Sequence, residues 1–334
     1  MGDLVANCPA LGHPVRATAP SPAVAMAPSG TPADAGRSGG PNEEPSGGRS
    51  GAPSVGSSEA PGEAPSAGSS GAGTAFTRRW IAPAGRTGLG AWIAQPRRPD
   101  PAAPALVAVH GIKRGVREQA AAFAPLAAAA GRTVIAPEFD ALRWPSFQQA
   151  VRRGRADLAF ARLLDDLGLQ GLVPGPSVDL VGYSAGAQFA HRFAMLHPQR
   201  VRRLTLCAAG WYTMPDEAPF PYGLGAGDGA AAPWGPLMQA RLGEYLALPI
   251  TITVGAHDDV ADVHTRRNPA LDGQQGQDRR TRACRYAAAL ERAARQRGLP
   301  APTLAVLPGA GHDFAACLAA GLGPLALNAR RQPR

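Results

Sequence analysis

From Phe76 onward, short apolar runs alternate with longer stretches of helical periodicity. Strand-like runs occur at Phe76–Ala82, Leu89–Ala94, Ala105–Val109, Thr133–Ala136, Val178–Val181, Leu204–Cys207, Pro249–Val254 and Thr303–Leu307. Between them, segments with apolar positions three and four apart predict helices over Glu118–Ala130, Ser146–Gly168, Ala185–Leu196, Leu237–Leu246, Arg279–Arg297 and Ala315–Ala320. The first two strands are separated by Gly85, Arg86, Thr87 and Gly88, which reads as a hairpin. The later strands are brief and apolar throughout, as burial on both faces requires. Strand and helix then alternate, so the pattern predicts an α/β fold with eight strands, mostly parallel, and helices on both faces. There is no internal repeat.

Residues 1–75 differ in kind. They are built from Ala, Pro, Ser, Gly and Thr and contain strings such as Gly68-Ser69-Ser70-Gly71. Such a segment buries too little apolar surface to offset the entropy of ordering it, so it reads as a disordered low-complexity tail. The folded domain is expected over 76–334, with a lid-like insertion at 211–245. That insertion carries Trp211, Tyr212, Phe220, Tyr222 and Trp234 among many Gly and Pro residues. Its aromatics suit either an acyl pocket or the anchoring of a long loop to the core.

Charge changes this picture little. The formal charge is +9, and Lys113 is the only lysine. Three arginines and six acids fall in 1–75, leaving 31 basic against 19 acidic residues, a net +12, over the rest. The arginines are scattered, with no long basic run and no aromatic-interleaved motif, so nucleic acid is not an expected partner. Arg266 with Arg267, or Arg279 with Arg280, suit either a substrate carboxylate or a solvated basic face. The four cysteines, Cys8, Cys207, Cys284 and Cys317, contain no CxxC pair, and their spacing encodes neither a disulfide framework nor a zinc site. No apolar run reaches the length of a membrane span, and the start lacks the charged-then-apolar pattern of a signal peptide. Arg78-Arg79 is followed by Pro83, Gly85, Arg86 and Gly88, which interrupt any twin-arginine leader. A cytoplasmic protein without membrane partners is expected.

The chemistry is concentrated at four strand ends. Val181-Gly182-Tyr183-Ser184-Ala185-Gly186 follows the Val178–Val181 strand and opens a helix. A serine on so sharp a strand-to-helix turn is lifted above the sheet, and the flanking glycines remove side chains that would clash. The N–H of Ala185, at the helix start, faces a developing oxyanion. Val109-His110-Gly111-Ile112 ends the third strand, and the N–H of Ile112 is the expected second oxyanion donor, with the His110 side chain bonding nearby backbone. Val254-Gly255-Ala256-His257-Asp258-Asp259 supplies a carboxylate to orient an imidazole. Asp258 is the better candidate, Asp259 the alternative and Asp262 a distant third; a turn or helix cap is the bland reading of the pair. These acids with His257 and His264 match no metal-cage spacing, so neither metal nor cofactor is expected. Leu307-Pro308-Gly309-Ala310-Gly311-His312 follows the last strand, and His312 is the expected general base. His191 and His197 read as packing or capping residues, and His13 falls in the tail.

Together these motifs resemble the α/β-hydrolase superfamily from about Phe76 to Leu327. The resemblance implies the order Ser184, Asp258, His312 for a triad. More narrowly, Gln188-Phe189-Ala190-His191-Arg192-Phe193, Ala209-Gly210-Trp211-Tyr212 and Gln274-Gln275-Gly276-Gln277-Asp278-Arg279-Arg280 are similar to a group of bacterial hydrolases near the polyhydroxyalkanoate-depolymerase and esterase branches. The expected function is therefore hydrolysis of a small-molecule carboxylic ester through an acyl-enzyme. Thioesterase, peptidase and acyltransferase activities use the same parts, and a non-catalytic binding protein of this fold is the alternative from another class. Acyl length, leaving group and oligomeric state are not encoded in these motifs.

Overall fold

In the computed structural model, residues 75–84, 88–152 and 154–328 are described. The expected tail lies outside the described residues except for Ala75, as does most of the hairpin turn, 85–87. The strands are β1 (Phe76–Ile81), β2 (Gly90–Pro96), β3 (Leu106–Val109), β4 (Val134–Glu138), β5 (Val178–Tyr183), β6 (Val201–Cys207), β7 (Ile250–Gly255) and β8 (Thr303–Leu307). They form one eight-stranded sheet in the order β1-β2-β4-β3-β5-β6-β7-β8. The β1–β2 and β2–β4 pairs are antiparallel, and every later pair is parallel.

The helices are α1 (Val116–Ala129), α2 (Ala156–Leu169), α3 (Ala185–Leu196), α4 (Trp234–Ala240), α5 (Leu242–Leu246), α6 (Pro269–Gln275), α7 (Arg279–Arg295), α8 (Phe314–Cys317) and α9 (Gly323–Leu327). The period-two geometry of a strand divides its side chains between two cores. Val107, Val109, Leu180, Leu204, Leu206 and Ile252 face one side, against Phe160 of α2, Phe189 and Phe193 of α3 and Tyr286 of α7. Leu106, Ala108, Val181 and Cys207 face the other, against Phe123 of α1 and Phe314 and Cys317 of α8. Both faces are thus covered, and even the threonines that alternate with isoleucine in β7, Thr251 and Thr253, are buried.

Three expected helices differ from those found. The stretch 146–168 holds only a 3-10 turn at Phe147–Gln149 before α2, because Ala150, Gly154 and Arg155 all have positive φ and cannot continue a helix. The stretch 237–246 divides into α4 and α5 at Arg241. The last helix continues from α8 through a kink at Gly321, φ 120°, into α9. α6 was not anticipated, although Asn268 followed by Pro269 is a cap-and-start signal; Asn268 Oδ1 accepts from Leu271 N at 2.8 Å.

Residues 208–249, joining β6 to β7, are tied to the core by their aromatics. Tyr212 stacks on Tyr286 at 4.1 Å, the Arg192 guanidinium lies 4.0 Å from the Trp211 ring centre, and the Arg155 guanidinium lies 4.5 Å from that of Trp234. Of the two roles open to the insertion's aromatics, these contacts are anchoring.

Candidate active site

The parallel strands β3, β5, β7 and β8 all end at the same edge of the sheet, and the candidate residues stand on the loops that follow them. Ser184 caps α3 at the end of β5 with φ 53° and ψ −113°, a conformation that an L-residue holds only when its surroundings enforce it. Two features do so. The Ser184 N–H donates to the Cys207 carbonyl at 2.8 Å. A Cβ on Gly182 would run into the Gly186 backbone, and one on Gly186 would run into the Val109 carbonyl. The turn closes only because both positions lack a side chain.

His312 sits just before α8, whose N-cap, Asp313, accepts from Ala316 N at 2.8 Å and fixes where the loop turns. Its Nε2 lies 3.0 Å from Ser184 Oγ, and its Nδ1 lies 2.8 Å from Asp258 Oδ2. The Tyr183 ring stacks on the imidazole, 5.3 Å between centres and 22° from parallel. Burial, chiefly, pushes the Tyr183 phenol well above its ordinary value, so the ring is a neutral flank. Ser184, His312 and Asp258 are therefore brought together, from positions 128 and 54 residues apart. The loops bearing the last two are joined: Ala256 N donates to Leu307 O at 2.9 Å and His257 N to Ala310 O at 2.8 Å.

The competing acids are separated cleanly. Asp258 is 2% exposed and bonded to the imidazole. Asp259 points to the surface and lies 3.6 Å from Arg280. Asp262 meets Arg279 at 2.7 Å. Arg279 also approaches Asp258 Oδ1 at 3.3 Å, and Arg267 pairs with Asp272 at 2.7 Å. Three of the four arginines considered for a substrate carboxylate thus have protein carboxylates as partners. Arg266 instead lies over the Trp211 and Tyr222 rings, at 5.6 and 5.7 Å.

On the other side of Ser184, Gly111 packs so closely that a Cβ there would stand 3.5 Å from Ser184 Cβ. Ile112 follows it directly and is 41% exposed. A turn, Arg114 N to Gly111 O at 3.0 Å, brackets it. The His110 ring is wholly buried; Nδ1 lies 2.8 Å from Gly111 O and Nε2 accepts from Phe139 N at 3.0 Å. Burial, opposed by the Gly111 bond, lowers its pKa to about 4, so near neutrality it is an uncharged brace.

The three narrower motifs also converge. Thr213 N donates to His191 Nε2 at 3.0 Å, Arg192 Nε donates to Thr213 Oγ1 at 3.1 Å, and Gln275 grips the Tyr212 backbone through both amide atoms, at 2.9 and 2.8 Å. Arg282 Nη1 donates to Gly210 O at 2.6 Å. They form a scaffold beneath the segment that leaves β6 beside Ser184. Burial lowers the His191 pKa well below its ordinary value, consistent with a neutral structural imidazole.

The sequence pattern described as the alpha/beta hydrolase fold matches residues 104–233, which include both β3 and the serine turn. The chain has the α/β-hydrolase fold. The same fold is found in poly(aspartic acid) hydrolase-1 from Sphingomonas sp. KT-1, 25% identical, with a TM-score of 0.62 over 76% of this chain and 97% of that one. It is also found in LpqC, a poly(3-hydroxybutyrate) depolymerase from Bordetella parapertussis, 29% identical, with a TM-score of 0.62 over 73% and 85%. Mycobacterium tuberculosis MPT51, 15% identical with a TM-score of 0.51, shares the α/β-hydrolase fold alone. No curated protein sequence matches. The fold and these neighbours support a hydrolase. Among the described residues, no helix is long and apolar enough to cross a membrane.

Proposed function

We propose that the protein is a serine hydrolase that cleaves a carboxylic ester through an acyl-enzyme. The observation that carries this reading is the unbroken chain Ser184 Oγ to His312 Nε2 at 3.0 Å and His312 Nδ1 to Asp258 Oδ2 at 2.8 Å. In the first half-reaction His312 takes the Ser184 proton as Oγ attacks the acyl carbon. The N–H groups of Ala185 and Ile112 receive the oxyanion, each such donor contributing on the order of 3 kcal/mol to the transition state. His312 then protonates the leaving alcohol. In the second half-reaction water, deprotonated by the same imidazole, attacks the acyl-enzyme and releases the acid. Asp258 holds the imidazole tautomer that keeps Nε2 free to accept the proton.

Two neighbours point to different leaving groups. A polyester depolymerase favours an alcohol, and a poly(aspartic acid) hydrolase favours an amine and an acidic chain. The test begins with a fluorophosphonate probe: labelling of the wild type that disappears in Ser184→Ala supports the serine mechanism. A folded wild type that takes no label ends the catalytic reading in favour of a binding protein. A panel of acyl esters, thioesters, hydroxybutyrate oligomers and aspartate oligomers then ranks the substrate classes, with an added alcohol acceptor revealing acyl transfer.

A further inference from the structure

α7 opens in an unusual way. Its N-cap Asp278 accepts from Thr281 N at 2.7 Å, and the next two residues are Arg279 and Arg280. Positive charge in the first turn opposes the helix dipole. The placement therefore calls for an offset, which the acid loop supplies.

Arg279 is 2% exposed. One arm of its fork reaches Asp258 Oδ1 at 3.3 Å and the other reaches Asp262 Oδ1 at 2.7 Å. Its Nε is buried with no acceptor, so the guanidinium is aimed at two carboxylates with a third bond forgone. The backbone agrees, because Arg280 N donates to the Asp258 carbonyl at 3.0 Å. Burial raises the Asp262 carboxyl, but the bonds from Arg279, Thr265 and His264 outweigh it and hold this acid far below the ordinary carboxylate range. A carboxylate, a guanidinium, a carboxylate, an imidazole and a hydroxyl thus stand in a row, from Asp262 to Ser184.

We propose that Arg279 and Asp262 are positioning residues: they lock the Asp258 rotamer that points Oδ2 at His312 and set how strongly Asp258 draws a proton onto that imidazole. The proposal rests on the serine-hydrolase reading only for its kinetic consequence. Ser184 and Asp258 contact the two His312 nitrogens and Tyr183 stacks on its ring; the other titratable groups nearby in the chain and its loops are exposed His257 in the loop after β7, Asp313 at the N-cap of α8 and Cys317 on that helix. Arg280 lies one step out, bonded to the Ala256 carbonyl at 3.1 Å and facing Asp259. Among the described residues, Arg279 is the side-chain cation in contact with Asp258.

The sign of the effect follows. With Arg279 neutral, the full Asp258 charge favours the imidazolium, so the base works only at higher pH. With Asp262 neutral, the Arg279 charge is uncompensated and the imidazolium is disfavoured. The experiment uses the full chain as wild type, Arg279→Gln, Arg279→Lys and Asp262→Asn. It combines pH–rate profiles on 4-nitrophenyl acetate with NMR titration of the His312 ring. For Arg279→Gln, the acid limb and the ring midpoint move up by about one pH unit. Its kcat falls roughly tenfold to a hundredfold with KM nearly unchanged, as for lost orientation. For Asp262→Asn, both move down by roughly half a unit. Arg279→Lys restores the limb but not kcat, since a point charge does not replace a fork. Unchanged midpoints, or two shifts of the same sign, overturn the proposal. Should Arg279→Gln not fold, Asp262→Asn decides alone, its side chain being 40% exposed. Midpoints that move as stated in a protein with no esterase activity uphold the charge coupling and reject only the hydrolase reading.

Discussion

At the scale of single residues, the site depends on distinctions finer than residue type. Asp258→Asn replaces an acceptor by a donor facing His312 Nδ1 and is expected to lower kcat by about 10³- to 10⁴-fold. Asp259→Asn alters a half-exposed side chain 3.6 Å from Arg280 and is expected to change kcat by less than about threefold. Steady-state kinetics of the two variants check this, and the reverse order would transfer the acid role to Asp259. Gly186→Ala places a methyl group against the Val109 carbonyl and is expected to abolish fluorophosphonate labelling, with loss of soluble yield. The positions of Ser184 and His312 were legible because each sits in a short glycine-marked string. The choice between Asp258 and Asp259 was not. It is decided by which carboxylate faces inward, and that depends on the packing of α7 against the loop. The same contact explains why Arg279 read as a substrate anchor or a solvated face and not as a partner of Asp258: its partners lie 21 and 17 positions away, beyond any local pattern.

At the scale of elements, the ends of β3 and β4 are held together by His110, whose Nε2 accepts from Phe139 N. Its pKa is about 4 when folded against 6.5 when exposed. Above pH 6.5 both states are neutral and the contribution is fully present. Between pH 6.5 and 4 the unfolded chain takes up a proton that the folded chain refuses. Stability therefore falls with decreasing pH across that window, by about 3 kcal/mol in total. Urea unfolding at pH 7 and pH 4.5 is expected to show this loss, and His110→Asn a flatter dependence; parallel slopes would refute it. Strand positions were readable because burial on both faces leaves an apolar run with little else in it. Helix boundaries were less so. The break before α2 is set by three positive-φ residues, Ala150, Gly154 and Arg155, of which only the glycine advertises itself in sequence. α6 was hidden by a helical run too short to show periodicity.

At the scale of the molecule, the sheet has one edge for chemistry and one for cohesion. Where β5 begins, buried Asp179 bonds Arg132, which precedes β4, at 2.6 Å, and Arg202 of β6 at 2.5 Å. Removing that carboxylate strands a buried guanidinium, a loss of about 3–5 kcal/mol. Asp179→Asn is accordingly expected to lower Tm by roughly 6–15 °C. Activity at 25 °C should stay within about twofold, since the lesion lies at the end of β5 opposite Ser184. Calorimetry beside an esterase assay tests both halves, and a large activity loss in a folded variant would show the two edges to be coupled. The fold class followed from alternation, and the initial antiparallel pair from the hairpin signal. The strand order, with β4 between β2 and β3, did not, because pairing across the sheet is decided by contacts that no window of sequence contains.

Among the described residues β8 is both the last strand in sequence and an edge strand, pairing only with β7, and His312 comes after it. A ribosome therefore delivers the hydroxyl and the carboxylate long before the imidazole, and the imidazole has no seat until that last strand docks. Until β8 is in place Ser184 has no imidazole beside it, so the proposed activity is expected to appear only with the docking of that strand.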